Sequence, residues 1–166
     1  NNDELAATWG NLVHRTLSFT QRYFDGQVPG DGSTDPALVA EIERTFETVT
    51  AKLDAARFKE TIGDVMALAR VGNRYFDEKA PWKQVKEDKD ATGQTIGSLL
   101  NLINALKVLF APFLPFVTAK LHGLLGYEDS LESHGWTWEP LPVGRALPKP
   151  SPLFVKIDPA AFAAEA

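Results

Sequence analysis

A tryptophan set among lysines is the most chemically suggestive group in this chain. Trp82 stands close in sequence to Lys79, Lys83, Lys86 and Lys89. A flat ring among ammonium groups suits a single-stranded base and its phosphates: the ring offers a stacking face and the lysines offer counter-charge. Lys79, Lys83 and Lys86 are the candidate phosphate contacts. A second candidate pair lies near the start of the chain. Asn11 and Arg15 are four apart, so on a helix they project side by side, roughly 40° apart around the axis. An amide that both donates and accepts, beside a fork of donors, fits the edge of a base. Plainer readings stand beside these. Trp82 also suits a core plug at a helix corner, because most tryptophans are largely buried. Asn11 and Arg15 also suit an ordinary solvated helix face. Local chemistry leaves both alternatives open.

The elements that would hold these groups are helical. Leu5, Trp9, Leu12, Val13, Thr16, Leu17, Thr20, Tyr23 and Phe24 follow helical spacing and predict a first helix over Asn2 to Phe24. Its opposite face carries Thr8, Asn11, Arg15, Ser18 and Arg22. Gly26, Pro29, Gly30 and Gly32 mark a surface loop over residues 25–34. Asp35 is a candidate cap with Pro36 at the first helical position, followed by the stripe Leu38, Ile42, Phe46, Val49 and Leu53. A third helix begins near Ala56, with Phe58, Ile62, Val65, Met66, Ala69, Gly72, Asn73 and Phe76 inward. Gly72 inside a helix costs about 1 kcal/mol against alanine, which points to close approach by a neighbour. Pro81 lacks an N–H and pushes Ala80 out of helical geometry, so this helix should stop near Lys79, with Trp82 just past the corner. A short charged helical turn over Lys83 to Lys89 should follow.

A fourth helix over Ala91 to Phe110 is apolar on a broad face and should be the central one. Pro112 and Pro115 break it, and a fifth helix runs to Leu125, stopped by Gly126. The expected fold class is therefore all-α, an antiparallel bundle of about five helices. From Tyr127 on, prolines and aromatics predict an extended, proline-rich tail in which Trp136, Trp138, Leu153, Phe154 and Ile157 dock on a surface. A short helix over Pro159 to Ala164 could close the chain. The expected division is 1–126 for the bundle and 127–166 for the tail.

Composition narrows the function. The 166 residues carry a net charge of −5, which argues against general, salt-driven nucleic-acid binding and leaves room for a small specific site. No run reaches about 18 uninterrupted apolar residues, so no membrane span is expected. The chain has no cysteine, so it holds no thiolate metal site or disulfide; this fits a reducing compartment, and a cytoplasmic location is the expectation. His14, His122 and His134 are too dispersed along the chain to predict a metal site. His14 could touch RNA beside Arg15 but reads better as surface. No glutamate has a histidine three residues on, which excludes a di-iron bundle. The loop glycines do not match a phosphate-cradling motif. The chain starts at Asn1 inside a helix, so a fragment of a longer protein is expected.

Asn73-Arg74-Tyr75-Phe76-Asp77-Glu78-Lys79-Ala80-Pro81-Trp82 resembles a signature of the methionyl-tRNA synthetase family. Likeness extends to Gly10-Asn11-Leu12-Val13-His14-Arg15, to Ala111-Pro112-Phe113-Leu114-Pro115, and to Pro150-Ser151-Pro152-Leu153-Phe154-Val155-Lys156-Ile157. Four motifs in the right order, spanning nearly the whole chain, make the resemblance specific. It implies the α-helical anticodon-binding domain that follows a class I catalytic domain. It implies that Trp82 stacks on the wobble base of a CAU anticodon and that Asn11 and Arg15 hydrogen-bond to anticodon bases. Asn73, Asp77 and Pro81 are then structural supports, with Asp77 bonding backbone or Arg74. The implied partners are the anticodon loop of methionine tRNA and the catalytic domain of the same chain, with no DNA and no membrane. The family's catalytic tetrapeptide and lysine-rich loop are absent, so no catalytic residue and no cofactor are expected in this chain. Methionine activation with ATP and Mg would belong to the catalytic domain, towards which the tail returns. Readings from other classes are the anticodon domain of another class I synthetase and a helical protein–protein module.

Overall fold

A computed structural model describes residues 2–155. The first helix is one rod in three parts. Asn2–Leu5 (α1) is α-helical, Ala6–Gly10 is a wider π-helical turn, and Asn11–Tyr23 (α2) is α-helical again. Periodicity alone predicts the rod but not the wide turn. Trp9 inside that turn is fully buried and stacks on Phe110 at 4.1 Å between centroids. The Asn73 amide donates to the Thr8 carbonyl at 2.8 Å, so a polar group is met where the helical ladder is irregular.

Pro36–Asp54 (α3) starts as its sequence dictates, with the Asp35 carboxylate accepting from the Ala37 N–H at 2.9 Å. It pairs with Phe58–Lys79 (α4), and the buried residues Leu38, Ile42, Val49, Val65, Leu68 and Ala69 lie along this pair. Gly72 explains itself in three dimensions. A Cβ there would lie 2.6 Å from a methyl of Leu12 and 2.6 Å from one of Leu102, so α2 and the central helix both close on it.

Pro81–Glu87 (α5) is short, and Asp88 breaks the chain before Lys89–Phe110 (α6), where it caps Ala91 at 3.0 Å. Every residue of α6 from Thr95 to Phe110 is buried, so this helix is the axis on which the others pack. Pro115–Leu124 (α7) completes the bundle. The chain is all-α, and among the described residues the only strand-like pairing is a single antiparallel bridge between Gln27 and Ala146.

That bridge ties the segment after α7 to the loop after α2. Val28 donates to Arg145, Gly144 to Val28 and Leu147 to Gly26, at 3.0, 2.9 and 2.7 Å. Leu141, Leu147 and Leu153 are buried in the same core as the helices. Trp136 donates to Thr50 at 2.8 Å and meets Phe46 edge-on, while Trp138 packs partly buried on the core. Phe154 meets the edge of Trp9 at 5.8 Å. A one-turn 3-10 helix, Leu131–His134, interrupts what the sequence predicts as wholly extended chain. Ile157 and the expected helix over Pro159 to Ala164 lie outside the described residues.

Candidate nucleic-acid interface

The corner between α4 and α5 is built by two residues. Ala80 adopts the left-handed region, φ 46° and ψ 61°, and Pro81 opens α5 with its ring buried. A left-handed alanine costs roughly 1–2 kcal/mol, held in place here by the packing on either side. The turn it makes throws Trp82 outward. The indole is 41% exposed and lies 6.0 Å from the ring of Phe76, tilted by 26°. It is neither sealed in the bundle nor loose: Phe76, only 4% exposed, supports it from within.

Phe76 carries a second passenger. The Arg15 guanidinium sits 4.1 Å above the centre of the same ring, and its Nη2 donates to Asp77 Oδ1 at 2.6 Å. Arg15 and Trp82 come from helices far apart in sequence and meet on one phenyl ring. Asn11 is exposed one turn before Arg15 on α2. There it lines a hollow with His14, Leu153 and Phe154, whereas indole and guanidinium occupy neighbouring ground. Sequence reasoning missed both groups that organise it. Phe76 reads only as a core position. Asp77 pairs not with backbone or Arg74 but with Arg15, 62 residues away, a distance that no local spacing reports.

The lysines divide. Lys83 follows Trp82 on α5, and Lys86 lies one turn on, roughly 40° around the axis from it; both are exposed. Lys79 instead holds its ammonium 5.4 Å from the centre of Tyr75, and Lys89 holds its own 5.6 Å from Phe24. The expected ring of four lysines about Trp82 is thus replaced by two on its own helix and two engaged with other rings. The reason is helical phase: Tyr75 and Phe76 point about 100° apart on α4, so Lys79 rides with the former. Behind the corner, Tyr75 hydrogen-bonds Asp35 at 3.1 Å, and burial together with that carboxylate pushes its hydroxyl up to about 12.

Histidine placement also departs from the linear reading. His14 is exposed on α2, whereas His122 and His134 converge to 5.2 Å between ring centroids with Asp129 between them. That cluster belongs to α7 and the segment after it.

An all-helical bundle with a supported indole and a guanidinium on one face defines a class by its fold: a helical domain with an exposed aromatic corner. Comparison with known proteins gives the family. A family model described as the anticodon binding domain of methionyl tRNA ligase matches residues 27–164, and the chain belongs to that family. Methionine–tRNA ligase of Thermomicrobium roseum is 40% identical over 187 aligned positions, which take in 95% of this chain and 32% of that protein. Methionine–tRNA ligase of Pyrococcus furiosus is 45% identical over 158 positions, 93% of this chain and 21% of that protein. The chain thus spans between a fifth and a third of the length of these relatives. The crystal structure of apo Mycobacterium tuberculosis methionyl-tRNA synthetase superposes with a TM-score of 0.84 at 27% identity, covering 95% of this chain and 33% of that one. The same enzyme bound to methionyl-adenylate superposes at 0.82.

Proposed function

We propose that this domain reads the CAU anticodon of methionine tRNA for a parent enzyme that attaches methionine in an ATP-dependent aminoacylation. The observation that carries the reading is the shared ring: Trp82 and Arg15 both rest on Phe76, one offering a stacking face and the other a donor fork. Trp82 stacks on the wobble base. Arg15, held flat by Phe76 and steered by Asp77, donates to base edges, and Asn11 completes the set with a group that donates and accepts. Lys83 and Lys86 take backbone phosphates beside the indole, and Lys79 takes one on the Tyr75 side of the corner. With a net charge of −5 the surface gains little from bulk attraction, so stacking and hydrogen bonds supply most of the selectivity.

The bundle over 1–126 performs this reading, and the tail over 127–166 serves to pack back on the bundle or to lead towards the catalytic domain of the same chain. ATP with Mg acts in that domain, and the setting is the cytoplasm. The test uses the intact ligase. Arg15→Gln should relax the choice among anticodon bases while methionine activation, measured by ATP–pyrophosphate exchange, stays at the wild-type rate. Retention of full anticodon selectivity by this variant rejects the role of Arg15.

A further inference from the structure

Lys107 is a buried cation in the middle of the bundle, 2% exposed. Its ammonium donates to Asn104 Oδ1 at 2.7 Å and to His122 Nδ1 at 2.8 Å, and it sits 4.1 Å over the ring of Tyr127. Because Lys107 occupies Nδ1, the proton of the neutral His122 ring is on Nε2, and that nitrogen points at Asp129 Oδ1, 3.1 Å away. The other oxygen of Asp129 meets His134 Nε2 at 2.9 Å. Burial and the Lys107 ammonium push the His122 imidazole below its ordinary value, and hydrogen bonds from His134 and His122 hold the Asp129 carboxyl down. Two imidazole nitrogens thus converge on the two oxygens of one carboxylate.

We propose that His122, Asp129 and His134 form a binding site for one borderline divalent transition-metal ion, zinc being the test case. Their ligand atoms all lie within 4.8 Å of one another. Zinc bonds of about 2.0–2.2 Å on a tetrahedron place neighbouring ligand atoms about 3.4 Å apart, so binding lengthens the 3.1 and 2.9 Å Asp129 contacts by a few tenths of an ångström, with the two imidazoles adjusting about the ion. Two imidazoles and one carboxylate select zinc, cobalt or nickel over magnesium or calcium, which prefer all-oxygen shells. The surroundings already orient the ligands. Tyr127 lies parallel to His122 at 4.2 Å and edge-on to His134 at 5.0 Å. Glu139 Oε1 stands 3.7 Å from His134 Nδ1, in the place where a carboxylate commonly supports a metal-bound histidine. The Asp129 side chain is 55% exposed, which leaves an entry path and a fourth position for water.

Protons balance on binding. His134 moves its proton from Nε2 to Nδ1, facing Glu139. His122 releases its Nε2 proton to solvent while the Lys107 ammonium passes one to Nδ1, so His122 stays a neutral imidazole and Lys107 becomes a neutral amine that accepts from Nδ1. The bound ion joins α7 to the segment that carries Asp129 and His134, and so fastens that segment to the bundle. The site lies among residues that the proposed anticodon surface does not use, so it stands or falls independently of that reading.

The test is titration of the chelator-treated 166-residue chain with cobalt(II), followed by its visible ligand-field absorption, with zinc as competitor. One equivalent should bind, zinc should displace it, and zinc at about a hundredfold excess over its Kd should raise the thermal midpoint by on the order of 5–10 °C. Asp129→Asn and His134→Gln change partly exposed side chains and should leave the chain folded, with metal affinity reduced at least tenfold. Absence of saturable binding overturns the proposal. So does binding that both variants leave unchanged, which would place the ion elsewhere.

Discussion

Two polar regions of this molecule are built on opposite principles. At the α4–α5 corner, an exposed indole and a half-buried guanidinium rest on one buried phenyl ring. Around Lys107, charged and aromatic groups are turned inward and saturate one another across α6, α7 and the segment that follows. The first pairs its guanidinium with Asp77 and leaves its indole partly exposed. The second uses its chemistry to fasten chain segments together. Breaking one should therefore change recognition without stability, and breaking the other should change stability without recognition.

The largest expected effect is on the inward cluster. His122→Ala removes one of the two hydrogen-bond acceptors of the buried Lys107 ammonium and leaves a cavity, a change worth about 3 kcal/mol. A domain of this size should lose roughly 10 °C in thermal midpoint, read by circular dichroism, while the fraction still folded binds an anticodon stem–loop as before. At the corner the signs reverse. Trp82→Ala should lower stem–loop affinity about ten- to a hundredfold, from the roughly 1–3 kcal/mol of one stacked base, and shift the midpoint by only a few degrees. A large melting shift there would mean that the indole is structural.

The inward cluster should also report through pH. Burial, aided by Arg145, pulls the Lys107 ammonium down from 10.5 to about 8. The unfolded chain then holds this proton over a range where the folded chain has released it, so stability rises with pH between about 8 and 10.5. The gain from pH 8 to pH 10 is about 2 kcal/mol, measured by urea unfolding with chelator present, and Lys107→Met should abolish it. Above pH 10 Tyr75 opposes the trend, because its folded-state value of about 12 makes ionisation favour the unfolded chain. The smallest effect sharpens the corner. Phe76→Leu keeps the volume apolar but removes the shared ring, so RNA affinity should fall about fivefold, from the loss of roughly 1 kcal/mol of aromatic and cation–π support, with a small loss of stability.

What the sequence made legible follows from what periodicity can carry. Leu38, Ile42 and Val49 announce α3, Pro81 announces the end of α4, and the breadth of the apolar face of α6 announces its central place. Asn11, Arg15 and Trp82 stand out because each is a polar or aromatic group at a position that a stripe does not claim. Contacts made across the fold are silent in one dimension. Nothing near Asp77 tells that its partner is 62 residues away, and nothing about a core-phase Phe76 tells that two site groups rest on it. The π-helical turn at Ala6–Gly10 leaves the spacing of apolar residues intact and so hides within it. His122 and His134 look scattered because a loop and a 3-10 turn fold them back onto each other.

Recognition by the corner is tested most directly by equilibrium binding of anticodon stem–loops to the intact ligase, with each of the three anticodon positions varied in turn, for the wild type and for Trp82→Ala. The CAU loop should bind tightest to the wild type, each altered base should weaken it, and the alanine variant should lose most of the advantage at the wobble position. Equal binding of all loops by the wild type, or an unchanged preference when the indole is gone, would contradict the account.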